Sequence, residues 1–443
     1  MLFRSIEKTV PLERVIVSSD MLLDKIRLAP EQMELKAAVD QFNLGPVISN
    51  FEQTGGLRSV RDAVLATDLQ ISEVMSPRLF NLLHGVCSRL KFEEPINLFV
   101  HADASINASA IYSPDGLPHM IVLTSSLIER MADAEIAFVF GHEIGHIHFQ
   151  HYRAKFVERA IGFRGSGQSR MPASLQRRMQ IWNRLANLSA DRVGFSAAGD
   201  DALLPIVSAF FKMASGLGPE HVQFDIAAFL NQLEQIPQRK RKNLICGFSH
   251  PAIPIRARAL QLFRDAGGAA ASRDKLDLVD QKVCELARLM EYETSEPMES
   301  HARDFVLAGG VLAAHADGKG KSWDEHDQLV EMLRPTLADP NAAITKIVSL
   351  QQAEEVLTKN ARWLRDNGGE DRFTAFHYLS IVCAQDGVLE GNEELFLLRA
   401  AEMLGIPDKV ARNKIYETLA HAIKARRGAN GVANHLEMKN ALA

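Results

Sequence analysis

Cysteine is scarce in this chain and shows no pairing pattern. The four cysteines, Cys87, Cys246, Cys284 and Cys383, lie far apart and form no C-x-x-C motif. Buried, reduced thiols are the usual state of cysteines spaced in this way. We therefore expect neither a disulfide framework nor a zinc–thiolate centre.

Long apolar runs and a strong excess of one charge are also missing. The most apolar segment, Leu203 to Leu217, is interrupted by Pro205 and Lys212 and is too short to cross a membrane. The first ten residues lack the basic start and apolar run of a signal peptide. A net charge of −5 indicates no nucleic-acid partner, and the basic run at 239–242 is typical of a solvated helix face. These absences predict a cytoplasmic protein without a membrane span.

One segment carries clear chemistry, because residues 142–146 read His-Glu-Ile-Gly-His and fit the pattern H-E-x-x-H. Positions i and i+4 of a helix share a face, so His142 and His146 can bind one metal ion. Glu143 lies on the adjacent flank. In zinc hydrolases the metal acidifies a water molecule, and such a carboxylate takes and passes on its proton.

The alternative is an ordinary helix that carries two surface histidines. Against it, apolar residues recur at helical spacing along the segment, at Ile136, Val139, Phe140, Ile144 and Ile147. This spacing predicts a helix over about 134–152 that packs against a core, with Asp133 as its N-cap. We therefore favour a metal site.

Three short strands are predicted before this helix, at 95–100, 105–112 and 119–124, after helices at 62–69 and 79–90. Part of the second strand consists of Asn107, Ala108, Ser109 and Ala110. Its small side chains would let an extended peptide pair with a free sheet edge. A plain surface strand is an equally good interpretation of these four residues.

Four segments together resemble, in order and spacing, the soluble form of the M48 family of zinc metallopeptidases. The resemblance covers roughly residues 60–265. Its motifs are Asn107–Ala110, the H-E-x-x-H helix, Asn187-Leu-Ser-Ala-Asp191 in place of the family's E-x-x-A-D block, and Ser249-His250-Pro251 followed by Arg256.

The resemblance implies a zinc-dependent endopeptidase that acts on peptides or unfolded proteins. His142 and His146 would be Zn2+ ligands and Glu143 the general base. Asp191 would orient a ligand histidine. His250 and Arg256 would lie near the cleft, where one of them could stabilise the oxyanion that forms on water attack. A structural role for the turn at His250 is the alternative.

The sequence departs from the family at one ligand position, because Asn187 stands where the third ligand is a glutamate. A neutral amide is a poor ligand for zinc. Three outcomes are open. Asn187 binds weakly through its amide oxygen, a neighbour such as Asp191, His148 or His151 replaces it, or the site is empty. In the last case the domain would be a pseudoenzyme that binds peptides or proteins.

The C-terminal part contains an internal echo that resembles the TerB-like helical domain. An apolar helix ends at Asp317-Gly318 with Glu325 downstream, and a second ends at Asp386-Gly387 with Glu393 downstream. Structural turns are the preferred interpretation of both loops, and cation binding is the alternative. The resemblance implies an interaction or regulatory module with a protein partner, and regulation of the cleft by this module is a further possibility.

The predicted fold class is α+β. It comprises a mainly helical, zincin-like peptidase domain with a small sheet, followed by an all-α domain. The predicted segments are a peptidase domain with an N-terminal helical extension at 1–268, a linking helix and linker at 275–299, a TerB-like domain at 300–426 and a tail at 427–443.

Overall fold

The protein divides into two compact units, residues 1–171 with 178–291, and residues 172–177 with 292–443. A computed structural model describes residues 22–42, 44–156, 173–218, 251–288, 297–316, 323–333, 340–384, 387–389, 391–420 and 422–423, with scattered positions between 220 and 231. The predicted fold class is confirmed, since the first unit is mainly helical with one small sheet and the described part of the second unit is helical.

The following helices lie in the first unit. They are α1 (Leu22–Ile26), α2 (Ala29–Phe42), α3 (Gly45–Gln53), α4 (Gly56–Thr67), α5 (Pro77–Leu90), α6 (Ser125–Arg130), α7 (Asp133–His148), α8 (Ala173–Ala198), α9 (Leu203–Ser215), α10 (Ile253–Asp265) and α11 (Arg273–Arg288). The exception is the first five residues of α8, which belong to the second unit.

A four-stranded sheet has the order β1-β2-β4-β3, which places β3 at one edge. Its strands are β1 (Leu69–Ile71), β2 (Ile96–His101), β3 (Ala108–Ile111) and β4 (His119–Thr124). β2 and β4 run parallel, and the other two pairs are antiparallel. β1 was not predicted, because three residues are too few to establish a strand period and Leu69 falls within the helix predicted at 62–69.

The register of β3 decides which of its backbone groups are open. The N–H of Thr124 donates to the carbonyl of Asn107, and Ala110 lies opposite Ile121. Backbone hydrogen bonds alternate along an antiparallel pair. Ala108 and Ala110 therefore direct their N–H and C=O groups away from β4, towards the open side of the strand.

Helix α7 begins at Asp133, so the prediction of Asp133 as N-cap is wrong. Ala132 precedes the first turn, and its N–H donates to the Glu135 carboxylate over 2.8 Å. Lys212 donates to the same carboxylate over 2.7 Å. Glu135 therefore caps the helix from its third position, which leaves Asp133 to pair with Arg78 at the surface.

The close approach of α7 and α8 depends on glycine. A Cβ added to Gly141 would lie 2.3 Å from the Cβ of Ala197, and one added to Gly145 would lie 3.1 Å from the Cα of Ala190. No larger residue fits at Gly141 without movement of a helix. The two backbones therefore meet along this stripe, which brings α8 beside the H-E-x-x-H segment.

Helix α11 packs inside the first unit. Val279 and Val283 of α11 share a buried apolar cluster with Leu28, Leu185 and Leu188. The segment predicted to be a linking helix thus contributes to the core next to α2 and α8. No helix among the described residues is long and apolar enough to span a membrane.

The second unit has its own apolar core, in which Phe305, Leu357, Leu379 and Leu397 are buried. Its helices are α12 (Pro297–Ala316), α13 (Trp323–Leu333), α14 (Pro340–Thr345), α15 (Leu350–Asn367), α16 (Asp371–Ala384) and α17 (Gly391–Met403), and residues 408–420 are also helical.

The two loops of the internal echo are only partly within the described structure. α12 and α16 end just before Asp317 and Asp386, but both aspartates lie outside the described residues. Glu393 is buried in the first turn of α17. The TerB-like resemblance and the predicted domain boundaries stay predictions.

Candidate metal centre

Helix α7 brings two imidazoles together as its sequence predicts. The Nε2 atoms of His142 and His146 lie 3.1 Å apart, and both side chains are buried. Two nitrogens at this separation can both lie within about 2.0–2.1 Å of one zinc ion. The geometry is therefore compatible with shared metal binding.

Asp191 contacts the ring nitrogen of His142 that lies away from His146. Its Oδ1 lies 2.9 Å from Nδ1 of His142, so the imidazole proton lies on Nδ1 and the lone pair on Nε2. Burial alone raises the pKa of Asp191. The charge and hydrogen bonds of Arg256 and the hydrogen bond of His142 outweigh this effect and lower the pKa to about 2. The carboxylate is therefore ionised.

Arg256 reaches the centre only through Asp191. Its Nε and Nη2 donate to the two carboxylate oxygens over 2.8 and 2.6 Å, and its guanidinium lies over the ring of Phe210. The side chain is buried. This placement favours a positioning role over the predicted oxyanion contact. His250, the other residue predicted for that contact, lies outside the described residues.

The end of α7 turns His151 back towards His146. Gln150 has a left-handed backbone with φ 52°, His151 N–H donates to His146 C=O, and Gln150 N–H donates to Ile147 C=O. These two bonds define a Schellman motif. It places Nδ1 of His151 2.7 Å from Nδ1 of His146.

His151 continues to a buried carboxylate on α2. Its Nε2 lies 3.6 Å from Oε1 of Glu31. Burial raises the pKa of Glu31, but contacts with Arg27 and His151 lower it to about 2. Burial lowers the pKa of His151 to about 4. His148 instead faces Asp24 at 3.0 Å, on another side of the helix.

Glu143 lies between the metal helix and the edge of the sheet. The backbone N–H of Ala110 donates to its carboxylate, and burial raises its pKa against the opposing electrostatic effects of His142, Lys155 and Arg256. A carboxylate with a raised pKa holds a proton more readily. Its position beside the outer edge of β3 follows from the register of that strand.

Asn187 is completely buried on α8, one helical turn before Asp191. Its Nδ2 donates to the carbonyl of Asn183 over 2.8 Å, and its Oδ1 has no hydrogen-bond partner in the described structure. Exchange of the two amide atoms would place an oxygen against the carbonyl of Asn183, so this orientation is fixed. A buried acceptor without a donor suits a cation.

The two imidazole nitrogens fit a zinc ion, and the buried Oδ1 of Asn187 on α8 is an acceptor without a hydrogen-bond partner in the described structure. No group of three His, Cys, Asp or Glu side chains that could hold a metal occurs among the described residues. The predicted alternatives lie elsewhere: Asp191 is bound to Arg256, and His151 lies behind His146.

Sequence reasoning missed three contributors to this centre. Glu31 and Asn183 were not singled out, because each acts through another side chain and belongs to no local motif. The close approach of α7 and α8 could have been predicted from Gly141 and Gly145, because small residues four apart on a buried helix let a second helix approach.

Comparison with known proteins agrees with this geometry. Residues 77–263 match peptidase family M48, so this part of the chain is similar to that family. The match runs from α5 to α10 and includes His142, Glu143, His146, Asn187, Asp191 and Arg256. It covers neither α2 nor the second unit.

A curated relative extends the comparison. The chain is 27% identical over 235 residues to the plastoglobule-localized metallopeptidase 48, chloroplastic, of Arabidopsis thaliana. The similar region covers 50% of this chain and 65% of that protein. The chain therefore spans less than two thirds of the relative's length.

Proposed function

We propose that this protein is a zinc-dependent metalloendopeptidase with Glu143 as general base. The observation that carries the proposal is the pair of Nε2 atoms of His142 and His146, 3.1 Å apart, each imidazole held from behind at Nδ1. The M48 family match supports a peptidase.

His142 and His146 would hold the metal, with Oδ1 of Asn187 as the third protein ligand. Zinc bound there would acidify a water molecule and polarise the scissile carbonyl. Asn187 brings no negative charge, so the chain binds zinc more weakly than a site with a glutamate there. The orientation of the Asn187 amide is already fixed, which limits this loss of zinc affinity because the side chain need not reorient when zinc binds.

Glu143 would receive the proton of the attacking water and deliver it to the leaving amine. Burial raises its pKa, which favours holding the proton between these two transfers. The Ala110 N–H fixes one side of the carboxylate. The same residue thereby links the base to the sheet edge.

The substrate would be an extended peptide or an unfolded protein segment that pairs with β3. Ala108 presents its N–H and C=O on the outer edge, and Ala110 presents its C=O. The small side chains of the strand allow another backbone to approach. Because Glu143 contacts Ala110, a peptide bound along this edge lies beside the proposed base.

A second candidate is a catalytically silent, peptide-binding protein that retains the same edge strand. Asn187 is the observation that favours it, since a neutral amide at this position leaves the ligand set without a carboxylate. The predicted protein partner of the second unit and the predicted cytoplasmic location stay predictions.

Hydrolysis of an unfolded protein substrate tests the proposal. We expect the zinc-loaded protein to cleave it and Glu143→Gln to reduce the rate at least about 100-fold while it retains zinc. Equal activity of the two proteins, or no hydrolysis with zinc bound, would contradict the peptidase proposal. Peptide binding without zinc or hydrolysis would support the silent protein.

A further inference from the structure

We propose that Glu31 on α2 is a positioning residue that selects the tautomer of His146 through His151. Glu31 lies outside the region that matches the M48 family. The inference rests on the proposed function, since it concerns the preparation of His146 as a metal ligand. It adds the N-terminal helices to the machinery of the site.

The contacts form a continuous line from α2 to the metal helix. Nε2 of His151 lies 3.6 Å from Oε1 of Glu31, and Nδ1 of His151 lies 2.7 Å from Nδ1 of His146. The 3.6 Å contact is an electrostatic one, beyond hydrogen-bond length. Glu31 is 0% exposed, so water does not screen it.

The carboxylate is fixed by donors from α8 and from the turn between α1 and α2. Trp182 donates from Nε1 to Oε1 over 2.9 Å, and Arg27 donates from Nη2 to the same oxygen over 2.8 Å. Arg27 also donates from Nε to Oε2. An ionised carboxylate can only accept hydrogen bonds. Glu31 therefore presents a fixed negative charge to His151.

This charge decides where the proton of neutral His151 lies. A proton on Nε2 faces the carboxylate and is stabilised, whereas a lone pair there would face a negative oxygen. With the proton on Nε2, Nδ1 of His151 accepts from Nδ1 of His146. The lone pair of His146 then lies on Nε2, 3.1 Å from Nε2 of His142. In the metal-free protein two lone pairs meet there, and the charge of Glu31 stabilises this tautomer against the alternative in which Nε2 of His146 donates to His142.

The tautomers of the two ligand histidines are thus set by two carboxylates on different helices. Asp191 on α8 acts on His142 directly, and Glu31 on α2 acts on His146 through His151. Orientation of metal-binding histidines by a carboxylate is a general device. In this chain one of the two comes from a helix outside the matched domain.

The backbone of α2 is itself anchored to the rest of the first unit. Ala29 N–H donates to Oδ2 of Asp280 over 3.0 Å, and Leu28 N–H donates to Oγ of Ser189 over 3.2 Å. Ser189 lies on α8 between Asn187 and Asp191. These hydrogen bonds therefore fix the start of α2 relative to α8, the helix that carries Asn187 and Asp191.

Imidazole nitrogen NMR on the metal-free, full-length protein tests the proposal without zinc or substrate. In the wild-type protein we expect His146 to be protonated on Nδ1 and His151 on Nε2. Glu31→Gln should redistribute both tautomers. Glu34→Gln is the matched control, because it removes the same charge from α2 at a residue that pairs with Arg178 and should leave both tautomers unchanged.

Zinc affinity, measured by competition with a chromophoric chelator, is the second readout. We expect Glu31→Gln to bind zinc about 10–100-fold more weakly than Glu34→Gln, and Glu31→Asp, which keeps the charge, to recover part of the loss. Identical tautomers and zinc affinities in Glu31→Gln and Glu34→Gln would overturn the proposal.

The wild-type spectrum keeps the proposal falsifiable if Glu31→Gln does not fold. A wild-type His146 protonated on Nε2 would overturn it without any variant. Absence of zinc binding by the wild-type protein would contradict the proposed function, while the tautomers of the metal-free protein would still decide the role of Glu31.

Discussion

Arg256 clamps Asp191 with two hydrogen bonds, Nε to Oδ2 over 2.8 Å and Nη2 to Oδ1 over 2.6 Å. The two residues are 65 positions apart and both are buried. The Oδ1 that receives Arg256 also lies against Nδ1 of His142. One buried ion pair therefore joins α8, α10 and the metal helix.

Removal of one partner of this ion pair should be costly. Asp191→Asn leaves the Arg256 guanidinium buried without a counter-charge, and we expect a loss of about 3–5 kcal/mol in the free energy of unfolding. Arg256→Met in the same protein should recover part of this loss, because it removes the uncompensated charge. Denaturant unfolding of the first unit measures both values.

Asp115→Asn is the control for this prediction. Asp115 pairs with Arg58 at the surface, where both side chains are more than 60% exposed, and removal of such a pair changes stability by about 0–1 kcal/mol. An Asp191→Asn protein as stable as Asp115→Asn would show that the buried ion pair does not stabilise the fold.

Two replacements of Asn187 should change the zinc affinity in opposite directions. Asn187→Glu supplies a carboxylate to two histidines, a ligand set that zinc favours, so zinc affinity should increase. Without metal the new charge is buried and unpaired, which should lower the melting temperature. Asn187→Leu keeps the volume but removes the oxygen, and its zinc affinity should fall.

Melting temperatures with and without zinc measure both effects of Asn187. We expect the zinc-induced increase to be largest for Asn187→Glu and smallest for Asn187→Leu, because the stabilisation by a bound ligand increases with the logarithm of its affinity. Wild-type zinc affinity in Asn187→Leu would exclude Asn187 as a ligand and favour a site formed by the histidines alone.

Part of this arrangement could be predicted because its signals are local. The H-E-x-x-H pair shares one helix face by spacing alone, and apolar residues such as Ile136 and Ile144 mark that helix as buried. Strands β2 and β4 follow from short apolar runs. The roles of the site residues stay predictions, although the structure places His142, Glu143 and His146 together.

The remainder could not be predicted because it depends on contacts between distant segments. Glu31 meets His151 across 120 residues of sequence, and no local pattern identifies a single glutamate on a short helix. Arg256 was expected at the cleft, but its partner depends on how α10 packs against α8. The end of α7 depends on the left-handed backbone of Gln150, a residue without a clear preference for that conformation.

Close packing of α7 and α8 predicts a difference between two glycine substitutions. Gly141→Ala places a methyl group 2.3 Å from the Cβ of Ala197, so one helix must move, and we expect a loss of about 1–3 kcal/mol in stability. Separation of the helices would also move Asp191 from His142 and weaken zinc binding.

Gly85→Ala is the matched control, since a Cβ at Gly85 on α5 meets nothing within 4 Å. Alanine in a helix is more favourable than glycine by about 0.5–1 kcal/mol, so this variant should be slightly more stable than the wild type. Thermal unfolding compares the two proteins. Equal stability of Gly141→Ala and Gly85→Ala would contradict the close contact of α7 and α8.

Glu31 should also make the stability of the first unit depend on pH in a defined window. Its pKa falls from 4.5 to about 2 on folding, so the folded state favours the ionised form. The resulting stabilisation, about 3 kcal/mol, is present above the unfolded pKa and is lost as the pH falls towards the folded pKa. Gln at this position does not titrate.

The stability difference between wild type and Glu31→Gln should therefore shrink by about 2 kcal/mol between pH 6 and pH 3. Denaturant unfolding at a series of pH values measures this difference, and subtraction of the two proteins cancels the titration of groups that do not contact Glu31. A constant difference between wild type and Glu31→Gln would mean that Glu31 has the same pKa in the folded and unfolded states, and that Arg27 and His151 do not stabilise its charge.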